Sequence, residues 1–119
     1  MKYMLLIYVD PQAAPEDGTP ERNAEHHAYG TYTQELVAAG AMLSGDPVHG
    51  NETATTVRVR DGETLTSDGP FAETKEHLAG YYVVDVADLD RAIELAAEIP
   101  GAARGLSRIE VRPIMELPG

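Results

Sequence analysis

The chain has 119 residues, no cysteine, and 9 Lys plus Arg against 20 Asp plus Glu, for a formal net charge of −11. This length suits one domain, expected to span residues 1–119, with enough chain to bury a real core. Acid exceeds base in both halves and no basic stripe exists, which argues against direct contact with nucleic acid or an anionic membrane surface, because both require clustered Lys and Arg.

Lys2 to Val9 is rich in β-branched and aromatic residues and ends at Asp10-Pro11, the pattern of a strand followed by a turn. A polar loop, Pro11 to Gly18, leads to Thr19-Pro20-Glu21, which supplies an N-cap, a proline at the first helical position and an early acid. The helix begun there is expected to stop at Gly40, with Ala28, Tyr32, Leu36 and Ala39 on one stripe. Ala41 to Val48 reads as a short strand broken by Gly45-Asp46-Pro47. Thr53 to Arg60 alternates, Asp61-Gly62 is a tight-turn dipeptide, and Glu63 to Ser67 is the return strand of a hairpin. After Asp68-Gly69-Pro70-Phe71 comes a near-continuous apolar strand, Gly80 to Val86. A second helix starts at the cap Asp88, repeats Leu89, Ala92, Ile93, Ala96 and Ala97 at helical spacing, and ends near Pro100-Gly101. Ser107 to Leu117 is the last strand, suited by Pro113 to a sheet edge.

The order strand, helix, strand, inserted hairpin, strand, helix, strand predicts an α+β fold: a ferredoxin-like split β-α-β sheet with an inserted β-hairpin. Right-handed crossovers place both helices on one face. Met4, Leu6 and Tyr8 oppose Tyr3, Leu5, Ile7 and Val9, and Tyr81 and Val83 oppose Tyr82, Val84 and Val86, so both faces are apolar. A sheet facing water alternates apolar with polar. A second copy of the same sheet is the simplest cover for the other face, and a homodimer is expected.

The block Ala54 to Pro100, with DGPFAETKE inside it, resembles the DGPF-motif branch of the YCII-related family; MKYMLLIY at the start, ELVAAG at Glu35 to Gly40 and EVRPI at Glu110 to Ile114 agree with it. The resemblance covers nearly the whole chain and implies the dimeric α/β-barrel architecture. It also implies a largely uncharacterised function, with a possible link to an extracytoplasmic-function sigma factor. Some broader relatives use, or are proposed to use, a His-Asp pair for acid-base chemistry, dehydrochlorination of a chlorinated hydroquinone being one example. At the matching positions this chain has Tyr29, about eleven residues before Gly40, and Ile99 before Pro100. Both members of that pair are therefore replaced.

The hairpin must return the chain to the strand near Gly80, and Asp68-Gly69-Pro70-Phe71 forms that return. A constrained loop carrying the single Phe beside ionisable groups has the composition of a pocket lining, although Asp, Gly and Pro also make plain turns. The residues expected to line a ligand pocket between the first helix and this loop are Tyr29, Arg58, Asp68, Phe71 and Lys75; His26, His27, Glu73 and His77 are weaker candidates. The His residues are too scattered to spell a metal site, so no metal and no organic cofactor is expected. The initial apolar run lacks the length and cleavage site of a signal peptide, and no segment has the roughly 18 apolar residues of a membrane helix. Cytoplasmic residence without membrane association follows as the expectation. The favoured function is a small-molecule-binding or regulatory module; the alternative is a cofactor-free enzyme performing general acid-base chemistry in the barrel pocket.

Overall fold

The computed structural model describes residues 1–118. In chain order the elements are β1 (Lys2–Val9), α1 (Pro20–Ala38), β2 (Met42–Pro47), β3 (Thr55–Arg60), β4 (Glu63–Asp68), β5 (His77–Asp85), α2 (Leu89–Glu98), α3 (Pro100–Ala103) and β6 (Ser107–Pro113), with a 3₁₀ turn at Asn51–Thr53. Four strands form an antiparallel sheet in the order β2-β5-β1-β6, and β3 and β4 form a separate two-stranded sheet. This is the ferredoxin-like arrangement with its inserted hairpin.

Local chemistry sets the element boundaries. Thr19 Oγ1 accepts from Arg22 N–H at 3.2 Å to cap α1, and Asp88 caps α2 by accepting from Arg91 N–H at 2.9 Å. Each cap satisfies a backbone donor that the first helical turn leaves free. Asp61 and Gly62 both take positive φ, 51° and 76°, the conformation of a two-residue type I′ turn whose twist matches the flanking strands.

The core lies under one face of the sheet. Tyr3, Leu5 and Ile7 of β1 and Tyr82 and Val84 of β5 pack against Tyr32 and Leu36 of α1 and Ala92, Leu95, Ala96 and Ile99 from the α2 region. Tyr32 donates to Leu95 O at 2.7 Å, tying the two helices together inside the core. Its ring meets Tyr82 edge to face with centroids 5.3 Å apart, the arrangement that aromatic quadrupoles favour. With one sheet face covered by one helix layer, the molecule is only 19 Å thick against extents of 47 and 46 Å.

Several boundaries differ from the sequence reading. β2 runs unbroken through Gly45-Asp46-Pro47, because β2 is an edge strand, where a proline's missing N–H is tolerated, and Val48 N–H donates to Ala79 O at 2.9 Å just beyond it. β5 begins three residues earlier, at His77, and shifts register between Ile7 and Tyr8 of its partner. The chain from Pro100 starts a new turn, α3, because Ile99 is extended at φ −57°, ψ 126°, as a residue before proline is pushed to be. β6 ends at Pro113 rather than Leu117. In α2 the buried face is Ala92, Leu95 and Ala96, which leaves Leu89 and Ile93 exposed: the two alanines let the helix lie close to the sheet while Leu95 fills the core.

Leu5→Ala, at a position of 0% exposure, is expected to cost about 2–5 kcal/mol in urea unfolding, as buried leucine truncations do. Val57→Ala on the exposed hairpin should stay within about 0.5 kcal/mol of the parent.

Candidate functional site

On the covered face, β5 presents Val84, Tyr82 and then Gly80, so side-chain bulk falls away toward one end of the strand. Its neighbour on β2, opposite Tyr82, is Gly45. Neither position tolerates a side chain: a Cβ on Gly80 would lie 2.9 Å from Asp46 O, and one on Gly45 would lie 2.7 Å from the Tyr82 ring. The space left beneath α1 is a cavity of about 660 Å³, within the range that holds small molecules. Ile7, Val9, Met42, Pro47 and Ala79 supply apolar lining from the sheet, with Ser107 from β6.

The helix wall is different in character. Arg22, His26, Tyr29 and Thr33 recur at i, i+4, i+7 and i+11, one stripe of α1, and all line the cavity with Glu25, Gly30 and Gln34. This polar stripe runs beside the buried Tyr32–Leu36 stripe, so α1 carries two inward faces. Gly30 costs the helix stability, yet a Cβ there would meet nothing within 4 Å. Packing therefore does not require a glycine at this position, and a side chain would project into the cavity.

Tyr29 Oη accepts from Gly101 N–H at 3.2 Å. Ser107 stands next to it, and a Cβ on Gly101 would overlap Ser107 Oγ and lie 2.8 Å from Tyr29 Oη. Burial raises the Tyr29 phenol above the ordinary 10.0, against the opposing pull of the Gly101 and Ser107 hydrogen bonds. Tyr82, bonded to Thr33 Oγ1 at 2.8 Å, and Tyr32 are raised for the same leading reason. Near the mouth Glu25 Oε1 pairs with Arg22 Nη1 at 2.9 Å and Glu25 Oε2 with Arg104 Nη1 at 3.8 Å.

Of the residues singled out from sequence, Tyr29 and His26 line this cavity, whereas Arg58, Asp68, Phe71, Lys75, His27, Glu73 and His77 do not. Arg58 and Asp68 are exposed on the hairpin. Gly69, at φ 90°, closes the hairpin root by donating to Ala54 O at 2.7 Å and accepting from Thr56 Oγ1 at 2.7 Å. Phe71 is 91% exposed. Lys75 reaches Asp10 at 3.5 Å, and His77 pairs with Val9 at the start of β5. The polar cavity residues that sequence reasoning passed over include Arg22, Glu25, Thr33, Gln34, Asp46 and Ser107, together with Gly30, Gly45 and Gly80. The available signal was polar residues at i, i+4, i+7 and i+11 in a helix that also carries an apolar stripe.

A ferredoxin-like sheet with a pocket between its first helix and its covered face defines the structural class. The YCII-related domain model matches residues 1–118, and the chain belongs to the YCII-related family. An uncharacterized protein of Rhizobium meliloti (strain 1021) is 33% identical over 114 residues, covering 96% of this chain and 92% of that one. Among solved structures, the fold is similar to that of 5-chloro-2-hydroxyhydroquinone dehydrochlorinase from Burkholderia phenoliruptrix AC1100 in complex with 2,5-dihydroxybenzoquinone; the TM-score is 0.56 at 15% identity, covering 97% of this chain and 94% of that one. No helix among the described residues is long and apolar enough to cross a membrane.

Gly30→Ala is expected to raise stability by about 0.5–1 kcal/mol, the ordinary cost of a helical glycine relative to alanine, while narrowing the cavity by one methyl group. Urea unfolding checks the first effect and ligand titration the second. A phenol whose folded pKa is raised contributes stability that is complete below the unfolded value of 10.0 and is lost as pH climbs through the folded value. Stability is therefore expected to hold up to about pH 9 and fall above about pH 10, with tyrosinate absorbance lagging behind that of the unfolded chain.

Proposed function

We propose that this chain is a small-molecule-binding module whose ligand occupies the cavity between α1 and the sheet, and that it acts as a homodimer. The observation that carries the reading is a helix wall of polar side chains, with a helix-weakening glycine among them, facing an apolar floor in a space of about 660 Å³. A few polar groups converging on an apolar pocket is the usual composition of a ligand site.

The homodimer rests on the sheet's second face. Met4, Leu6, Tyr8, Leu78, Tyr81 and Val83, all partly exposed, sit there without any helix above them, a contiguous apolar face of the kind used for interaction. Its two edges differ in charge. Asp46 and Ser44 flank it on β2, and Arg108 and Arg112, with Glu110 between them, flank it on β6. A two-fold axis running along the strands sets each β2 edge over the partner's β6 edge, so Asp46 faces the arginines.

A second reading, cofactor-free acid-base catalysis in the same cavity, is favoured by Tyr29 and His26 lying one turn apart on the cavity wall and by the shared fold with a dehydrochlorinase. A regulatory role beside an extracytoplasmic-function sigma factor is the cellular form of the first reading.

Sedimentation at micromolar concentration is expected to give a dimer burying at least about 1,000 Å², and Leu6→Glu, which puts a charge in the middle of the open face, should give a monomer. Native mass spectrometry of the purified dimer should find a retained small molecule, and re-adding it at a hundredfold excess over Kd should stabilise the protein by about 2.7 kcal/mol. A stable monomer would overturn the dimer; a ligand held with Tyr29 and His26 both unprotected from chemical modification would overturn the site.

A further inference from the structure

The arginine and the carboxylates of the cavity lining are already balanced from within the protein. Arg22 Nη1 lies 2.9 Å from Glu25 Oε1, Arg22 Nε lies 3.3 Å from Asp17 Oδ1, and Glu25 Oε2 lies 3.8 Å from Arg104 Nη1. Two guanidinium groups and two carboxylates thus close on one another, with Glu25, only 12% exposed, shared between both arginines. The one other lining carboxylate among the described residues is Asp46. It follows Gly45 on β2, and successive strand residues point to opposite faces. Its side chain therefore leaves the covered face, and Oδ2 accepts from Tyr81 Oη at 3.0 Å on the other side of the sheet.

The rest of the inner lining is apolar or hydroxylic. Thr33 and Tyr82 are bonded to each other at 2.8 Å, Tyr29 Oη accepts from Gly101 N–H at 3.2 Å, and Ser107 brings one further hydroxyl. His26, Gly30 and Gln34 recur at i, i+4 and i+8, and all three are exposed while lining the cavity, so the mouth lies along this stripe of α1. Gly30 leaves the middle of the mouth open, since a Cβ there would meet nothing within 4 Å.

Resting on the cavity's role as a ligand site, we infer that its ligand is an uncharged, largely apolar ring compound that enters past Gly30. An anion would meet Glu25 and a chain of net charge −11, and would find Arg22 and Arg104 already paired. A cation would stand beside Arg22, while the carboxylate within reach, Glu25, is shared by two guanidinium groups. Either ion would lose its water without gaining a partner, which costs far more than burying an uncharged polar group. A neutral ring loses least: the apolar floor covers it, and the Tyr29 and Ser107 hydroxyls suit a single uncharged polar substituent, because a hydroxyl both donates and accepts.

The test compares three probes of one shape and different charge at mildly alkaline pH: 2-naphthamide, which is neutral, 2-naphthoate, an anion, and 2-naphthamidine, a cation. Binding to the full-length protein is followed by naphthalene fluorescence. The parent is expected to bind the amide about tenfold or more tightly than either ion. Glu25→Gln, which leaves Arg22 and Arg104 without their shared carboxylate, should move the preference toward naphthoate. Gly30→Phe, which fills the mouth from a position with no neighbour to clash against, should abolish binding of all three. The comparison on the parent decides the charge class even where Glu25→Gln lowers stability. Equal binding of the three probes, or an ion bound more tightly than the amide, with binding still lost in Gly30→Phe, would overturn the inference and leave the cavity's role intact; so would a folded Glu25→Gln whose preference is unmoved. Binding of no probe, or binding that Gly30→Phe leaves unchanged, would overturn the cavity as a ligand site and the inference with it.

Discussion

At Gly80 the backbone of β5 lies so close to β2 that a Cβ would sit 2.9 Å from Asp46 O and 3.1 Å from Pro47 Cα, and one strand over, Gly45 lies under the Tyr82 ring. This close approach joins β2 to the sheet at the end where the covered face has run out of side chains. The core proper, built on Leu5, Val84 and Ile99, fills the other end. Because Gly45 and Gly80 leave room beneath the first half of α1, Arg22 and Tyr29 can turn toward the sheet. A cavity with a polar wall follows from two missing side chains on the opposite surface.

Gly101 does for the far end what Gly80 does for the floor. Without a side chain it lets Tyr29 Oη and Ser107 Oγ converge on one backbone N–H. The resemblance placed Tyr29 and the residue before Pro100 at the positions of an acid-base pair in broader relatives. In this chain Tyr29 on α1 reaches the first turn after α2, where its hydroxyl oxygen accepts from the Gly101 backbone N–H. Burial raises the pKa of that phenol, so it stays protonated at neutral pH.

Much of the fold was readable from sequence because its signals are local. Thr19-Pro20, Asp88 and Asp61-Gly62 act through their own backbone neighbours, and each does in the structure what its chemistry predicts. The two apolar faces of β1 and β5 follow from a period of two alone. The cavity was much harder to read because its signals are not local. Gly45 and Gly80 look like turn or strand-weakening residues until they are known to lie on adjoining strands, and the register shift near Ala79 is set by pairing that no single strand encodes. Asp68-Gly69-Pro70-Phe71 drew attention as a constrained loop with an aromatic residue. Within one chain it closes the hairpin root and leaves Phe71 in solvent. Loop chemistry shows that a backbone is fixed, but not which surface it is fixed against.

The central claim is that ligands enter between α1 and the covered sheet face, and glycine amides report on it directly because they occupy a distinct region of the nitrogen-proton spectrum. Gly30, Gly45 and Gly80 line the cavity, while Gly62 and Gly69 belong to the hairpin. Titrating the protein with the small molecule recovered by native mass spectrometry is predicted to shift the first three amides together and leave the hairpin pair in place. Shifts confined to Gly62 and Gly69, with the three cavity glycines unmoved, would contradict the account.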